Sequence, residues 1–103
     1  MADFSVRVER GNPHATVTVT GEIDVATADE LVRALRTVAD LAVRVDLTDV
    51  EFVGAAAVCT IADGAAECER LGNRLVVTGY SSVTRTLFEL CEREALLGEP
   101  ARG

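Results

Sequence analysis

The fold is decided where a strand passes into a helix, in the stretch Val45-Asp46-Leu47-Thr48-Asp49-Val50-Glu51-Phe52-Val53-Gly54-Ala55-Ala56-Ala57-Val58. Apolar and polar residues alternate first, an acidic turn follows, and a row of small residues leads into the helix. The first N–H groups of a helix are unpaired, so such a junction is a common place for chemistry in an α/β domain. Gly54 to Ala57 offer no hydroxyl, carboxylate, thiol or imidazole. The junction therefore carries no catalytic group.

Two strands and a helix are predicted before this junction. Residues 4–9 and 15–20 alternate apolar and polar side chains around a turn at 11–14, the pattern of a hairpin, and residues 21–24 are predicted to form a loop. Thr27 opens the helix, with Glu30 placed to complete a capping box. The helix is amphipathic, and its predicted inner residues are Ala28, Leu31, Val32, Leu35, Val38 and Ala39.

Two strands and two helices make up the rest. Strands are predicted at 42–47 and 75–77, and helices at 55–71 and from about 83 to 91. Arg44 and Asp46 interrupt the first of these strands, which places them near a solvent-reachable edge of the sheet. In the last helix, Leu87, Leu90 and Cys91 are expected to face inward, with Phe88 flanking them.

The order β-β-α-β-α-β-α predicts a small α/β domain with a mixed sheet of four to five strands and helices mainly on one face. The residues expected to be buried are Leu31, Leu35, Val45, Leu47, Val58, Ile61, Val76 and Leu87. With 103 residues, 49% of them hydrophobic, the chain suits a single domain over 1–103. Residues 1–97 are expected to be ordered, with Leu96 and Leu97 against the core, and 98–103 to form a frayed tail.

Composition excludes several classes of function. Seventeen acidic against ten basic residues give a formal net charge of −7, which disfavours nucleic acid and anionic membrane as partners. No apolar run approaches the ~20 residues of a membrane span, and no signal peptide is evident, so a cytoplasmic protein is expected. Cys59, Cys68 and Cys91 have no metal-binding spacing, and we expect no disulfide, metal or cofactor.

A set of short motifs, in this order and spacing, resembles the STAS domains, and specifically the bacterial anti-sigma factor antagonists. The resemblance covers nearly the whole chain and lacks only a clear final strand. The motifs are Gly21-Glu22-Ile23-Asp24 with Thr27, Asp46-Leu47-Thr48 with Val50 and Phe52, Gly72, the strand from Leu75, Gly79, Leu87 and Leu90.

The resemblance implies a non-enzymatic module that binds an anti-sigma factor of the serine-kinase type and so frees a sigma factor for transcription. In the family, the kinase phosphorylates a serine at the start of the second helix, in a segment that usually reads Asp-Ser-Ser-Gly. The matching positions here are Gly54 to Ala57, and the phosphoacceptor position falls on Ala56. A phosphate would add about −1.5 to −2 charges. Alanine cannot accept one, so the site is expected to stay in its unmodified form.

The surface that the resemblance implies for partner binding combines the Asp24 loop with the exposed side of the second helix. The chain is expected to be a monomer or a weak homodimer. The expected contact residues are Glu22, Asp24, Gly54, Ala55, Ala56, Ala57, Cys59, Thr60 and Asp63.

Several alternatives stay open at this stage. The alanine run reflects either drift after regulation was lost or a selected, permanently active form. Asp24 is either a partner contact or an Asx-type turn former. Cys59 lies in the first turns of a helix, where the dipole lowers the pKa of a thiol, or it is simply an idle thiol. The domain could also be a small-molecule-binding or scaffold protein unrelated to sigma factors.

Overall fold

A computed structural model of the protein describes residues 4–11 and 14–101. The strands are β1 (Ser5–Glu9), β2 (His14–Ile23), β3 (Ala42–Val53) and β4 (Leu75–Thr78). The helices are α1 (Ala28–Thr37), α2 (Ala55–Arg70) and α3 (Ser82–Leu90), followed by a short 3-10 helix, Glu94–Leu96. The predicted turn at residues 12 and 13 lies outside the described residues, as do 1–3 and 102–103.

The four strands form one mixed sheet in the order β1-β2-β3-β4. β1 runs antiparallel to β2, whereas β2 with β3 and β3 with β4 are parallel. Every second residue of β2 is buried, while its threonines lie half-buried on the other side of the sheet. The predicted α/β fold with a mixed sheet and helices mainly on one face is confirmed, with four strands.

The core lies between the sheet and its helices. Six of the eight residues that the sequence predicts to be buried are so, and Leu31, Val45, Val58 and Ile61 have no exposed surface. The other two are only half-buried. Val76 points to the opposite side of β4 from its buried neighbours Leu75 and Val77, and Leu87 lies on a flank of α3.

The two central strands are longer than predicted. β2 continues through the predicted loop to Ile23, and β3 continues from residue 47 to Val53. Their parallel pairing shifts register twice, because β3 has an extra residue at each shift, as in a β-bulge. Arg44 and Asp46 do not lie at a sheet edge, since β3 is flanked on both sides; they lie on the face away from the helices.

The predicted capping box at the start of α1 does not form. Thr27 is the N-cap residue, but its φ of −97° and ψ of −12° are helical, and its side chain accepts no bond from the helix. The Thr27 hydroxyl instead accepts from the N–H of Asp24 at 2.9 Å and donates to the carbonyl of Glu22 at 3.1 Å. Thr27 therefore stabilises the preceding loop and leaves Glu30 exposed.

α3 is rotated from its predicted orientation. Thr84 and Phe88, four residues apart, face the core, and Phe88 has no exposed surface. Leu90 is 76% exposed, so its predicted inward position is wrong. Cys91 is half-buried.

The segment after Leu97, expected to be frayed, is hydrogen-bonded as far as Ala101. Gly98 donates to the carbonyl of Val77 at 2.7 Å, and Ala101 donates to that of Tyr80 at 2.9 Å. Leu97 forms an isolated bridge with Val77 of β4, and Pro100 forms one with Tyr80, just after β4. The Tyr80 hydroxyl also donates to the carbonyl of Gly98 at 2.7 Å.

Candidate functional site

The two predicted contact segments lie together at the carboxyl end of the sheet. Because β2 and β3 are parallel, the loop after β2 and the start of α2 both lie at the carboxyl ends of these strands. Ile23 pairs with Val53 in the sheet, and the N–H of Gly54 donates to the carbonyl of Ile23 at 3.1 Å. The Asp24 loop and the start of α2 therefore form one continuous surface.

The start of α2 is a bare helix terminus. Gly54 is the N-cap in an extended conformation, with no side chain to cap the helix, and its carbonyl accepts from the N–H of Ala57 at 3.0 Å. The N–H groups of Ala55 and Ala56 have no acceptor within the helix. The first turn contains no acidic residue. These N–H groups can donate to an acceptor on a partner, but no side chain here can carry out a reaction.

The Asp24 loop is held by its own hydrogen bonds. A carboxylate oxygen of Asp24 accepts from the N–H of Thr27 at 3.1 Å and lies 3.3 Å from its hydroxyl. This is the Asx-type geometry that the sequence left open for Asp24. The bonds fix a short turn that presents Val25, whose side chain is 79% exposed.

Most of the predicted contact residues reach the surface, and one does not. Glu22, Ala55, Cys59 and Asp63 are exposed, and Asp24, Gly54, Ala56 and Thr60 are half-buried. The side chain of Ala57 has no exposed surface, because it packs into the core under the first turn of α2. Its methyl group is therefore unable to contact a partner.

This end of the sheet is acidic. The chain has no lysine, and no arginine occurs between residues 11 and 32 or between 45 and 69. A partner at this end would be favoured by basic side chains. The exposed carboxylates of the loop, the first turn of α1 and the end of β3 are Glu22, Asp29, Glu30, Asp49 and Glu51.

The three thiols are free and differ in access. Cys59 is exposed on α2, whereas Cys68 is buried and Cys91 is half-buried. Burial raises the pKa of the Cys68 thiol, and the nearby Glu67 carboxylate adds to this effect. The described part of the chain holds no cluster of three or more His, Cys, Asp or Glu side chains suited to a metal ion.

A groove of about 750 Å³ runs between α1 and α2. Some of its charged side chains are paired within the protein: Arg10 donates to the carbonyl of Thr37 at 2.7 Å and pairs with Asp40 at 3.2 Å. Glu67 is hydrogen-bonded to Arg70, which lowers the pKa of the Glu67 carboxyl. The other charged side chains that line the groove, Arg36 and Asp63, are exposed and form no ion pair within the described residues.

A second groove of about 670 Å³ lies on the open face of the sheet, against the C-terminal segment. Asp46, one of several polar residues that line it, is already hydrogen-bonded. One carboxylate oxygen of Asp46 accepts from the N–H of Thr48 at 2.9 Å and from its hydroxyl at 2.6 Å. This arrangement fixes the local strand conformation.

Sequence reasoning missed three exposed aliphatic residues, Val25, Val83 and Leu90, each more than three-quarters exposed. The signal for the two on α3 was present in the chain. Placing Thr84 and Phe88 on the inner face of a 100° helical wheel turns Val83 and Leu90 outward.

Comparison with known proteins gives a consistent result. A family model described as "Mlab, STAS domain" matches residues 6–98. No curated protein matches the chain. Among solved structures, an anti-sigma factor antagonist from Mycobacterium paratuberculosis is 26% identical, with 97% of this chain and 87% of that chain covered and a TM-score of 0.77.

Two structures of the anti-sigma factor antagonist SpoIIAA share the fold at lower identity. The unphosphorylated form is 14% identical, with 92% of this chain and 87% of that chain covered and a TM-score of 0.77. The phosphorylated form of the Bacillus protein is 13% identical, with 94% and 90% covered and a TM-score of 0.73. None of the helices described here has the length and apolar character that crossing a membrane requires.

Proposed function

The chain belongs to the STAS domain family, and we propose that it is a non-enzymatic, cytoplasmic binding module that engages an anti-sigma factor of the serine-kinase type. The main support for this proposal is the backbone hydrogen bond from Gly54 to Ile23, which joins the Asp24 loop to the start of α2. That surface is accessible and acidic, and it has no nucleophile paired with a base, so it suits binding better than catalysis.

Ala56 is the proposed position of a lost phosphoacceptor. It is the second residue of α2 and is half-buried, so a side chain there lies at the rim of the proposed contact surface. A phosphoryl group would add about −1.5 to −2 charges to the first turn of α2, which has no acidic side chain. With alanine, this turn stays uncharged whether or not a kinase is active.

The fate of the complex in the presence of ATP tests this proposal. The chain is mixed with each purified kinase-type anti-sigma factor encoded in its own genome, with and without Mg-ATP. Complex formation is followed by size-exclusion chromatography and covalent change by intact mass. We expect one such protein to form a complex that persists in ATP while the mass of the chain stays unchanged.

Two results would contradict the proposal. Failure of every kinase-type protein to bind would remove the assigned partner class. A phosphoryl group added to the chain, with loss of the complex, would show that a switch operates elsewhere in the protein. The variant Ala56→Ser is the matched control, since it offers a hydroxyl at the family position with little effect on the helix.

Binding of a small molecule is the second candidate function. It is favoured by the volume of the α1–α2 groove, about 750 Å³, which lies in the range of ligand pockets, roughly 300–1,000 Å³. The pairing of Arg10 with Asp40 and of Glu67 with Arg70 weighs against it, because these charges are then less available to a ligand. A ligand bound there would be recognised by a rise in melting temperature that Arg36→Glu, a substitution of an exposed side chain at the wall of the groove, removes.

A further inference from the structure

The groove on the open face of the sheet has a basic end, formed by His14, Arg44 and Arg74, which all line it. His14 pairs with Ala42 in the β2–β3 register, and neighbouring strands lie about 4.8 Å apart. Arg74 flanks Ala42 from the β4 side, because its carbonyl accepts from the N–H of Val43 at 2.9 Å. Arg44 follows on the same face, roughly 6–7 Å further along β3. Three basic residues therefore surround the small side chain of Ala42 at the amino ends of the strands.

The basic end has no internal counterion. Arg44 and Arg74 are exposed and His14 is half-buried. None of the three forms an ion pair within the part of the chain that the structure describes. Their charge and their hydrogen-bond donors are therefore available to a ligand.

The carboxylates closest to the basic end already have partners. Asp46, further along β3, accepts two bonds from Thr48. Two more carboxylates, on β1 and just before β3, are paired with arginines outside the groove floor. These pairs are Arg7–Glu9 at 3.6 Å and Arg10–Asp40 at 3.2 Å. Glu99 is unpaired among the described residues, but its carbonyl accepts from the N–H of Gly79 at 2.8 Å, which places its backbone at the other end of β4 from Arg74.

The rest of the groove is partly apolar. Its volume of about 670 Å³ lies in the range of ligand pockets, roughly 300–1,000 Å³. Val76 is half-buried on the floor, and the C-terminal segment forms a wall beside it. A Cβ atom on Gly98 would lie 2.5 Å from a methyl carbon of Val76, so the backbone of this wall packs directly on the floor. A ligand would meet positive charge at one end and apolar surface in the middle.

The charges at the basic end select the ligand. In a molecule of net charge −7, a cleft end lined by basic groups alone concentrates small anions, whereas a large polyanion is repelled by the rest of the chain. A phosphomonoester brings about −1.5 to −2 charges and three strong acceptor oxygens. A carboxylate brings one charge and two oxygens. Two guanidinium groups and an imidazole, placed around one point, therefore match a phosphate better than a carboxylate.

We propose that the basic end of this groove binds the phosphate of a small, soluble phosphomonoester, with the apolar part of the ligand over Val76. The site lies on the face of the sheet opposite the helices and at the end opposite the start of α2. The inference therefore goes beyond the proposed function and does not depend on it.

The test is a titration of the full, nitrogen-15-labelled chain with phenyl phosphate, followed by amide NMR shifts. Benzoate, which has the same ring but a single carboxylate, is the matched ligand. We expect saturable shifts centred on His14, Arg44, Arg74 and Gly98, with weaker binding of benzoate.

Arg44→Gln and Arg74→Gln remove one charge each and should each weaken the binding of phenyl phosphate at least about fivefold, since each removes a charge-assisted hydrogen bond. Arg33→Gln is the matched control, because Arg33 is exposed on α1, on the other face of the sheet, and forms no ion pair within the described residues. It should bind phenyl phosphate as the parent does. All three arginines are exposed, so melting temperatures close to that of the parent are expected and confirm folding.

Four results would overturn the proposal. They are the absence of saturable binding, an equal loss in Arg33→Gln, binding of benzoate as tight as that of phenyl phosphate, and tighter binding of a phosphoserine peptide than of phenyl phosphate. The last would assign the groove to a partner protein. The proposed function is scored separately, on kinase-type proteins and Ala56→Asp, so a chain that binds phenyl phosphate but no such protein keeps this site and loses that function.

Discussion

Replacing Gly79 by alanine should destabilise the protein for two separable reasons. Gly79 has φ of +70°, and a Cβ atom there would overlap the Thr48 hydroxyl and lie 2.7 Å from a carboxylate oxygen of Asp46 and 2.9 Å from the N–H of Thr48. Gly72 has φ of +82°, but a Cβ atom there would meet nothing within 4 Å. Gly72→Ala is therefore the matched control that carries the conformational cost alone.

The expected magnitudes follow from these two environments. A left-handed conformation costs a residue other than glycine about 1–2 kcal/mol, which both variants incur. Gly79→Ala also forces Thr48 and Asp46 apart, at the ~1–3 kcal/mol typical of overpacking, and disturbs the bonds between them. We expect a loss of about 1 kcal/mol for Gly72→Ala and roughly 3 kcal/mol or more for Gly79→Ala.

Urea unfolding followed by circular dichroism measures both losses from the midpoints and slopes. In thermal melting, the same losses correspond to roughly 5 °C for Gly72→Ala and well over 10 °C for Gly79→Ala. Losses that agree within about 0.5 kcal/mol, close to the scatter of ordinary surface substitutions, would refute the steric reasoning. The contact between Gly79, at the end of β4, and the Asp46–Thr48 segment of β3 would then not constrain the fold.

The remaining predictions concern α3 and the end of α2. Phe88→Ala should lower the free energy of unfolding in urea by about 3–5 kcal/mol, because Phe88 is fully buried. Leu90→Ala should lower it by less than about 0.5 kcal/mol, because Leu90 is exposed. The reverse order would show that α3 turns Leu90, and not Phe88, toward the core. Glu92, just after α3, has φ of 55°, so Glu92→Gly should raise stability by about 1 kcal/mol while Glu92→Val lowers it; a gain in the valine variant would contradict this. The hydrogen bond from Arg70 lowers the pKa of Glu67 in the folded state, so this pairing favours folding above the unfolded pKa of Glu67 and is lost as pH falls through the folded one. Arg70→Ala should raise the pKa of Glu67 in a carbon-13 NMR titration, and an unchanged value would exclude the pairing in solution.

The elements with strong helical periodicity were predictable from the sequence. In α1, the residues expected to face inward include Leu31, Leu35 and Val38, and all three are buried. In α2, the predicted inner residues Val58 and Ile61 are fully buried. These stripes are wide and unambiguous, so local periodicity is enough to orient the helices.

The elements that depend on distant partners were not predictable in the same way. The length of β3 depends on its two register shifts against β2, which local alternation does not encode. In α3, leucines at 87 and 90 compete with Phe88 for the core, and only the packing of a short helix decides between them. The segment after Leu97 is held by Tyr80 and β4, some eighteen residues earlier in the chain.

The candidate site was predictable in its location but not in its extent. Glu22 and Asp24 lie beside the start of α2 because the parallel strands β2 and β3 end together; the sequence had placed these segments on one surface through the family resemblance. The burial of Ala57 follows from how deeply the first turn of α2 packs, which depends on the sheet beneath it. The exposure of Val83 follows from the rotation of α3.

The most direct test of the account is the affinity of Ala56→Asp for the kinase-type partner, measured by isothermal titration beside the parent and the control Ala95→Asp. Ala95 is exposed in the 3-10 helix, away from the start of α2, so its variant carries the same charge elsewhere on the surface. An aspartate in the first turn of α2 is favourable by about 0.3–1 kcal/mol through the helix dipole, so the fold of Ala56→Asp should be as stable as the parent. The account predicts that Ala56→Asp binds at least about tenfold more weakly than the parent, because its carboxylate would have to lose water at the uncharged first turn of α2 where the partner packs, while Ala95→Asp binds normally. Equal binding by Ala56→Asp and the parent would contradict it, because the start of α2 would then not be the interface.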